Sequence, residues 1–242
     1  MRYQGGKSRI AKDISEIILK YSDKFGGGNT FVSLFCGGCS IETLVTPHFD
    51  KVICNDINEY LIALFSGVQA GYILPDAISE EQYKYVKEHK DEDKTLTGFV
   101  GFGCSFGGRF FQGYARSSDK RNYAKQSKNS ITKEMKVLSD VEFVCKDYKD
   151  VICPPNSVIY ADPPYNGTTS YRYTDKFDSD EFWNYMDYLS QNHLVFISEH
   201  SAPDNYVSIW EKEVKRHLNN DPDKRFLATE KLFIHKNWLE NN

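Results

Sequence analysis

Apolar residues follow two rhythms along this chain. Short unbroken runs are too brief for helices and read as buried strands: Thr30 to Phe35, Lys51 to Asn55, Glu142 to Cys145, Ser157 to Ala161 and Leu194 to Ser198. Between them the spacing becomes helical. Ile10, Ile14, Ile17 and Ile18 predict an amphipathic helix over Ser8 to Tyr21, and further helices are expected from near Ile41 and through Tyr60 to Phe65. Ser79-Glu80-Glu81-Gln82 has the form of a capping box opening a charged helix to about His89. A second helical stretch begins near Thr95, and Ser179 to Gln191 turns Phe182, Trp183, Met186 and Leu189 inward. Val207 to Trp210 and Arg225 to His235 read as further strands. Strands alternating with helices predict an α/β fold, Rossmann-like, with helices on both faces of the sheet. Residues 71–137 differ in texture and read as a mainly helical insert, so 1–70 and 138–242 form the catalytic domain.

The strand ends carry the candidate chemistry, because open α/β sheets bind ligands there. The first strand runs into Cys36-Gly37-Gly38-Cys39-Ser40, a glycine turn that lets backbone approach a ligand, although the full G-x-G-x-x-G pattern is absent. Asp56 closes the second strand about 20 positions on, placed for a ribose or for capping the next helix. Asp162-Pro163-Pro164-Tyr165 ends the strand Ser157 to Ala161. Two prolines stop it in a stiff turn without backbone N–H groups. A carboxylate, carbonyl acceptors and a ring suit a flat heterocycle with an amino group, and a plain strand terminator is the competing reading. Gly5-Gly6-Lys7 before the first helix favours an anionic group. Asn166 to Asp178 is polar and long enough to be a mobile active-site loop.

Charge changes the picture in one place. The net charge of −4 excludes a protein that is basic all over, so a nucleic-acid contact needs a local patch. Between Ser105 and Lys136 the bases Arg109, Arg116, Lys120, Arg121, Lys125, Lys128, Lys133 and Lys136 face only two acids, Asp119 and Glu134. They interleave with glycine and aromatic residues that can stack on bases, against the alternative of a solvated basic loop. Six cysteines lie mostly in apolar runs, as reduced thiols do. The C-x-x-C at Cys36 lacks the second ligand pair of a zinc site, so no metal is expected. With no apolar leader and no run of eighteen apolar residues, a cytoplasmic location without membrane contact is expected.

In this order the pieces resemble the Dam-like, alpha-group DNA adenine methyltransferases, especially the short bacteriophage versions. Tyr3-Gln4-Gly5-Gly6-Lys7 is similar to the family's opening motif and Phe35-Cys36-Gly37-Gly38 to its cofactor loop. Asn55-Asp56-Ile57-Asn58 matches its acidic motif, Asp147-Tyr148 a pair beside the cofactor's adenine, and Asp162 to Tyr165 the catalytic motif. Cys39-Ser40 stands where a further glycine is commoner. The resemblance implies S-adenosylmethionine as cofactor, the N6 amine of adenine in double-stranded DNA as acceptor, base flipping and no metal. It implies that Asp162 and the Pro163 carbonyl hold the amine, with Pro164 in the turn and Tyr165 stacked on the base. Tyr3, Gly6, Lys7, Phe35, Gly37, Gly38, Asp56, Asp147, Tyr148 and Asp162 would contact the cofactor. Arg109, Arg116, Lys120, Arg121 and Lys125 of the target-recognition insert would contact DNA. A cytosine-amine methyltransferase, a catalytically silent DNA-binding protein and an NAD-type dehydrogenase are the alternatives.

Overall fold

The computed structural model describes residues 1–116, 121–164, 177–217 and 225–240, the side chains of 215–217 and 225–226 excepted. Seven strands form one sheet: β1 (Thr30–Ser33), β2 (Lys51–Asn55), β3 (Glu142–Val144), β4 (Val158–Ala161), β5 (Leu194–Glu199), β6 (Tyr206–His217) and β7 (Arg225–His235). Their order is β3-β2-β1-β4-β5-β7-β6. The first five are parallel, and β7 enters antiparallel between β5 and β6.

The inner parallel strands are largely apolar because both faces are covered, whereas β3 at the edge is only half-buried. Along β4, Val158 and Tyr160 join one core, whereas Ile159 and Ala161 join the other. β5 divides in the same way, Leu194 and Phe196 against Val195 and Ile197. On the first face lie α1 (Ala11–Phe25), α2 (Glu42–Val45) and α3 (Glu59–Gln69), with α7 (Ser179–Ser190) on the second. α1 starts three residues later than its apolar spacing predicts and ends at Gly26, whose φ of 63° is the left-handed form that glycine takes freely.

Between α3 and β3 stand α4 (Glu80–Glu88), α5 (Lys94–Gly98) and α6 (Tyr123–Met135). The Ser79–Gln82 capping box forms in full. α5 passes into a π-helical turn, Phe99–Gly103, whose wider winding fits the run of glycine and aromatics. Phe99, Val100 and Phe102 are buried in the same core as Ile14 and Leu61. The helix expected from Ile41 is a single turn, and β6 extends seven residues past the expected Trp210. The strand pairs with β7 along its whole length, with a bulge at Ser208/Trp210 near its start that shifts the register.

Candidate active site

Strand order reverses between β1 and β4, and the carboxyl ends of these two neighbours define a crevice where open α/β sheets bind ligands. Asp162 leaves β4 at that edge. One residue from a fully buried strand, its carboxylate keeps 19% exposure and accepts a 2.6 Å bond from the Lys7 ammonium. Lys7 comes from the turn before α1 and is itself buried, so it is held beside the carboxylate. Its ammonium also lies 3.8 Å from Glu230 of β7. Pro163 and Pro164 follow in place, whereas Tyr165 and most of the Asn166 to Asp178 loop lie outside the described residues.

The loop after β1 is shaped by two close approaches. Gly37 has φ 47° and donates its N–H to Asp56 at 3.0 Å. A Cβ on Gly38 would sit 2.8 Å from the Cβ of Tyr3, so the glycine lets the N-terminal turn close over the loop. The two glycine motifs are therefore faces of one contact. Gly6 completes the turn by donating to the Tyr3 carbonyl at 3.1 Å. Beneath it, Cys36, Cys39 and Cys54 are buried against one another as free thiols. Burial acts to raise the Cys39 thiol, but hydrogen bonds from Cys36 and Cys54 bring it down to about 6. Among the described residues no three His, Cys, Asp or Glu side chains are grouped to hold a metal ion.

At the end of β2, Asp56 accepts one backbone N–H on each oxygen, from Gly37 and from Asn58 at 2.9 Å. Asn58, not Asp56, caps α3. Burial pushes the Asp56 carboxyl up to about 6 against those two hydrogen bonds. Asn55, which sequence reasoning passed over as a strand end, ties three strand exits together. Its side chain donates to the Leu34 and Lys146 carbonyls at 2.9 and 3.1 Å and accepts from Lys146 N–H at 3.0 Å. This fixes Asp147, whose carboxylate caps the next turn at Lys149, and Tyr148 beside Phe35, with ring centroids 5.3 Å apart. Phe177 and Phe182 close that aromatic wall.

The predicted basic patch has partners that a local count of charge could not show. Arg116 is bidentate to Glu80, while Lys125 and Lys128 share Asp76 at 2.7 and 2.6 Å. These lysines hold the exposed Asp76 carboxyl down at about 2. Arg109 is exposed on a turn led by Phe106, itself 51% exposed. The turn rests on the N-terminal segment: a Cβ on Gly108 would come within 2.6 Å of the Arg2 carbonyl oxygen. Arg121 is exposed, and Lys120 lies outside the described residues. A cavity of about 550 Å³ opens beside Tyr3, Ser8, Ala11, Ser40 and Thr43, and neither Asp56 nor Asp162 lines it.

The sequence matches the D12 class N6 adenine-specific DNA methyltransferase family over residues 3–100 and 105–219. The chain belongs to this family. As a D12 class enzyme it is an S-adenosylmethionine-dependent, adenine-specific DNA methyltransferase. Solved structures of methyltransferases are similar to the chain at low identity. A magnesium protoporphyrin IX methyltransferase from Synechocystis PCC 6803 with bound SAH is 8% identical, with a TM-score of 0.44 over 97% of this chain and 85% of that one. An N-methyltransferase from Bradyrhizobium japonicum WM9 is 8% identical, with a TM-score of 0.41 over 95% and 98%. A dimethyladenosine transferase from Plasmodium falciparum is 12% identical, with a TM-score of 0.40 over 93% and 63%.

The residues of this D12 enzyme fit its cofactor by their chemistry. Each Asp56 oxygen has spent one lone pair on a backbone N–H and keeps another for a ribose hydroxyl. Phe35 with Tyr148 supplies an apolar ring surface, while Tyr3 fills the space beside Gly37 and Gly38. No helix among the described residues is long and apolar enough to cross a membrane.

Proposed function

We propose that this enzyme methylates adenine at specific sites in double-stranded DNA, after flipping the base into the crevice between β1 and β4. The observation that carries the reading is the position of Asp162: a partly exposed carboxylate at the switch point, on a turn without competing N–H groups. The N6 lone pair of adenine is delocalised into the ring and is a poor nucleophile. Asp162 and the Pro163 carbonyl accept hydrogen bonds from the two N–H groups, which draws the nitrogen toward tetrahedral geometry. S-adenosylmethionine supplies, when bound, a methyl group on a sulfonium centre. The lone pair forms the new N–C bond in line with the breaking C–S bond, sulfur keeps that electron pair, and one N6 proton leaves. Orientation and electrostatics are the protein's share.

Asp56 holds the ribose, Asp147 and Tyr148 flank the adenine end, and Tyr3, Gly6 and Lys7 border the methionine end. Tyr165 stacks on the flipped base. Residues 71–137 form the target-recognition insert, where Arg109 reaches a base and Arg116, Lys120, Arg121 and Lys125 meet phosphates. Exposed ion pairs such as Arg116 with Glu80 are weak, so a phosphate can displace the acid. The enzyme acts in the cytoplasm of a bacterial or phage-infected cell. Nucleoside digests of treated DNA test the reaction. The natural enzyme yields N6-methyladenine and no methylcytosine, and Asp162→Ala loses roughly 10²–10³-fold in rate with its fold intact. Near-normal transfer by that variant would refute the role of Asp162.

A further inference from the structure

Asn55 is the last residue of β2, is 1% exposed, and has both polar atoms of its side chain bonded. The amide donates to the Leu34 and Lys146 carbonyls at 2.9 and 3.1 Å, and its oxygen accepts the Lys146 N–H at 3.0 Å. β2 stands between β3 and β1, so this one side chain reaches the exits of both neighbours. Ladder pairing with β2 stops at Ser33 on β1 and at Val144 on β3. Beyond these points the backbone groups of the exits need other partners. The Asn55 carbonyl adds one by accepting the Cys36 N–H at 2.7 Å. Among side chains of its length only asparagine offers two N–H donors with an acceptor, and leucine or an ionised aspartate there would offer neither carbonyl a donor.

What the two exits carry gives these bonds a role beyond stability. Phe35 follows Leu34 directly, Asp147 and Tyr148 follow Lys146, and Asp56 follows Asn55 itself. The Phe35 and Tyr148 rings meet at 5.3 Å between centroids, although one leaves β1 and the other β3. Asp56 is fixed to the first exit by the Gly37 N–H at 3.0 Å. A ring surface made from two separate exits keeps its shape only while their spacing holds, and a binding wall loses affinity when its supports loosen. We propose that Asn55 is a positioning residue for S-adenosylmethionine: it sets the spacing of the β1 and β3 exits at which Phe35 and Tyr148 form one wall for the cofactor's adenine. The inference rests on the adenine-end role proposed above for Asp147 and Tyr148. Buried as it is, Asn55 acts through Leu34 and Lys146 and not by contact with the ligand.

The test compares the full chain with its Asn55→Ala and Asn55→Ser variants in steady-state methylation of DNA. Gly98→Ala serves as a variant destabilised elsewhere, because its Cβ would meet α3 and not the exits. Asn55→Ala should raise both KM and Kd for S-adenosylmethionine roughly 10-fold, the lower end for groups that orient a binding residue. Its kcat at saturating cofactor and its Kd for DNA should change less than about twofold, the pattern of lost uniform binding. Asn55→Ser, which keeps one hydroxyl at the site, should recover part of the cofactor affinity. A merely structural asparagine would lower Tm as Gly98→Ala does and leave KM at the natural value, and that result overturns the inference. Should Asn55→Ala fail to fold, Asn55→Ser decides alone, and a natural KM in it overturns the inference. Tyr148→Ala reports on the underlying reading: cofactor affinity unchanged in that variant overturns the adenine-end assignment and the inference with it. Weakened binding in Tyr148→Ala beside a natural KM in Asn55→Ala overturns the inference alone.

Discussion

Burial raises the Asp56 carboxyl from 3.8 to about 6, and with the ribose role proposed for it this one group should make two properties of the protein depend on pH in opposite senses. The unfolded chain ionises Asp56 near 3.8, whereas the folded chain holds its proton to about 6. A raised folded pKa contributes stability that is present below pH 4 and lost as pH rises through 6. The gap of about two units corresponds to roughly 3 kcal/mol at most. With Asp56 in the ribose role proposed above, cofactor binding should run the other way, since both carboxylate oxygens already accept N–H bonds and only the ionised group keeps lone pairs for two ribose hydroxyls. At pH 7 about nine-tenths of the apoprotein carries ionised Asp56, and at pH 5 about one-tenth. Affinity for S-adenosylmethionine should therefore fall about tenfold from pH 7 to pH 5, or about 1.4 kcal/mol. Isothermal titration calorimetry at the two pH values measures it, with Asp56→Asn as a weaker binder whose affinity does not change. Equal affinity of the natural protein at pH 5 and pH 7, with its circular dichroism intact, would contradict the assignment of Asp56 to the ribose.

Three further outcomes are expected. Gly98→Ala would put a Cβ 2.1 Å from the Tyr60 carbonyl oxygen and 2.8 Å from the Leu64 Cβ, so α5 must move off α3. Such overpacking costs about 1–3 kcal/mol, and calorimetry should show a Tm lower by roughly 2–4 °C for each kcal/mol; an unchanged Tm would mean that the two helices are not packed as described. Arg109→Ala should relax sequence choice on DNA, read by single-molecule detection of modified bases, and unchanged target preference and affinity exclude it from recognition. Cys145 is exposed, whereas Cys36, Cys39 and Cys54 are buried, so a thiol reagent on native protein should label Cys145 first and the buried three only on unfolding; labelling of the three at the rate of Cys145 would contradict the packed loop.

The parts of this enzyme legible in its sequence are those set by short-range rules. Apolar runs marked β1, β2, β4 and β5 because these parallel strands are buried on both faces, and Ser79 announced α4 through a cap formed within four residues. Asp162, Asp56 and Gly37 stood out because each closes or follows such a run. What stayed hidden depends on contacts distant in sequence. β6 beyond Trp210 is a string of charges, and only pairing with β7 makes it a strand. Glu230 enters the site because antiparallel β7 brings its inward face beside Lys7. Asp76 and Glu80 quiet the basic segment from 36 to 52 residues away. Asn55 was read only within its strand and the acidic motif, because its three bonds go to groups that leave other strands. Gly38 was read as a ligand-facing glycine, but its absent side chain also makes room for Tyr3.

The pairing of β1 with β4 carries a consequence for how the enzyme comes into being. Val32 lies opposite Ile159, a separation of 127 residues (159 − 32), and the crevice between their strands does not exist until that contact closes. Closing so long a loop is entropically slow, and parallel pairing gives little reward on the way. The helices of 71–137 lie inside that loop and can condense first around Phe99 and Phe102. A ribosome must therefore release the chain through Ala161 before the crevice exists. Residues 71–137 precede β4 in the chain, so a growing chain passes through no stage at which the crevice exists without that segment.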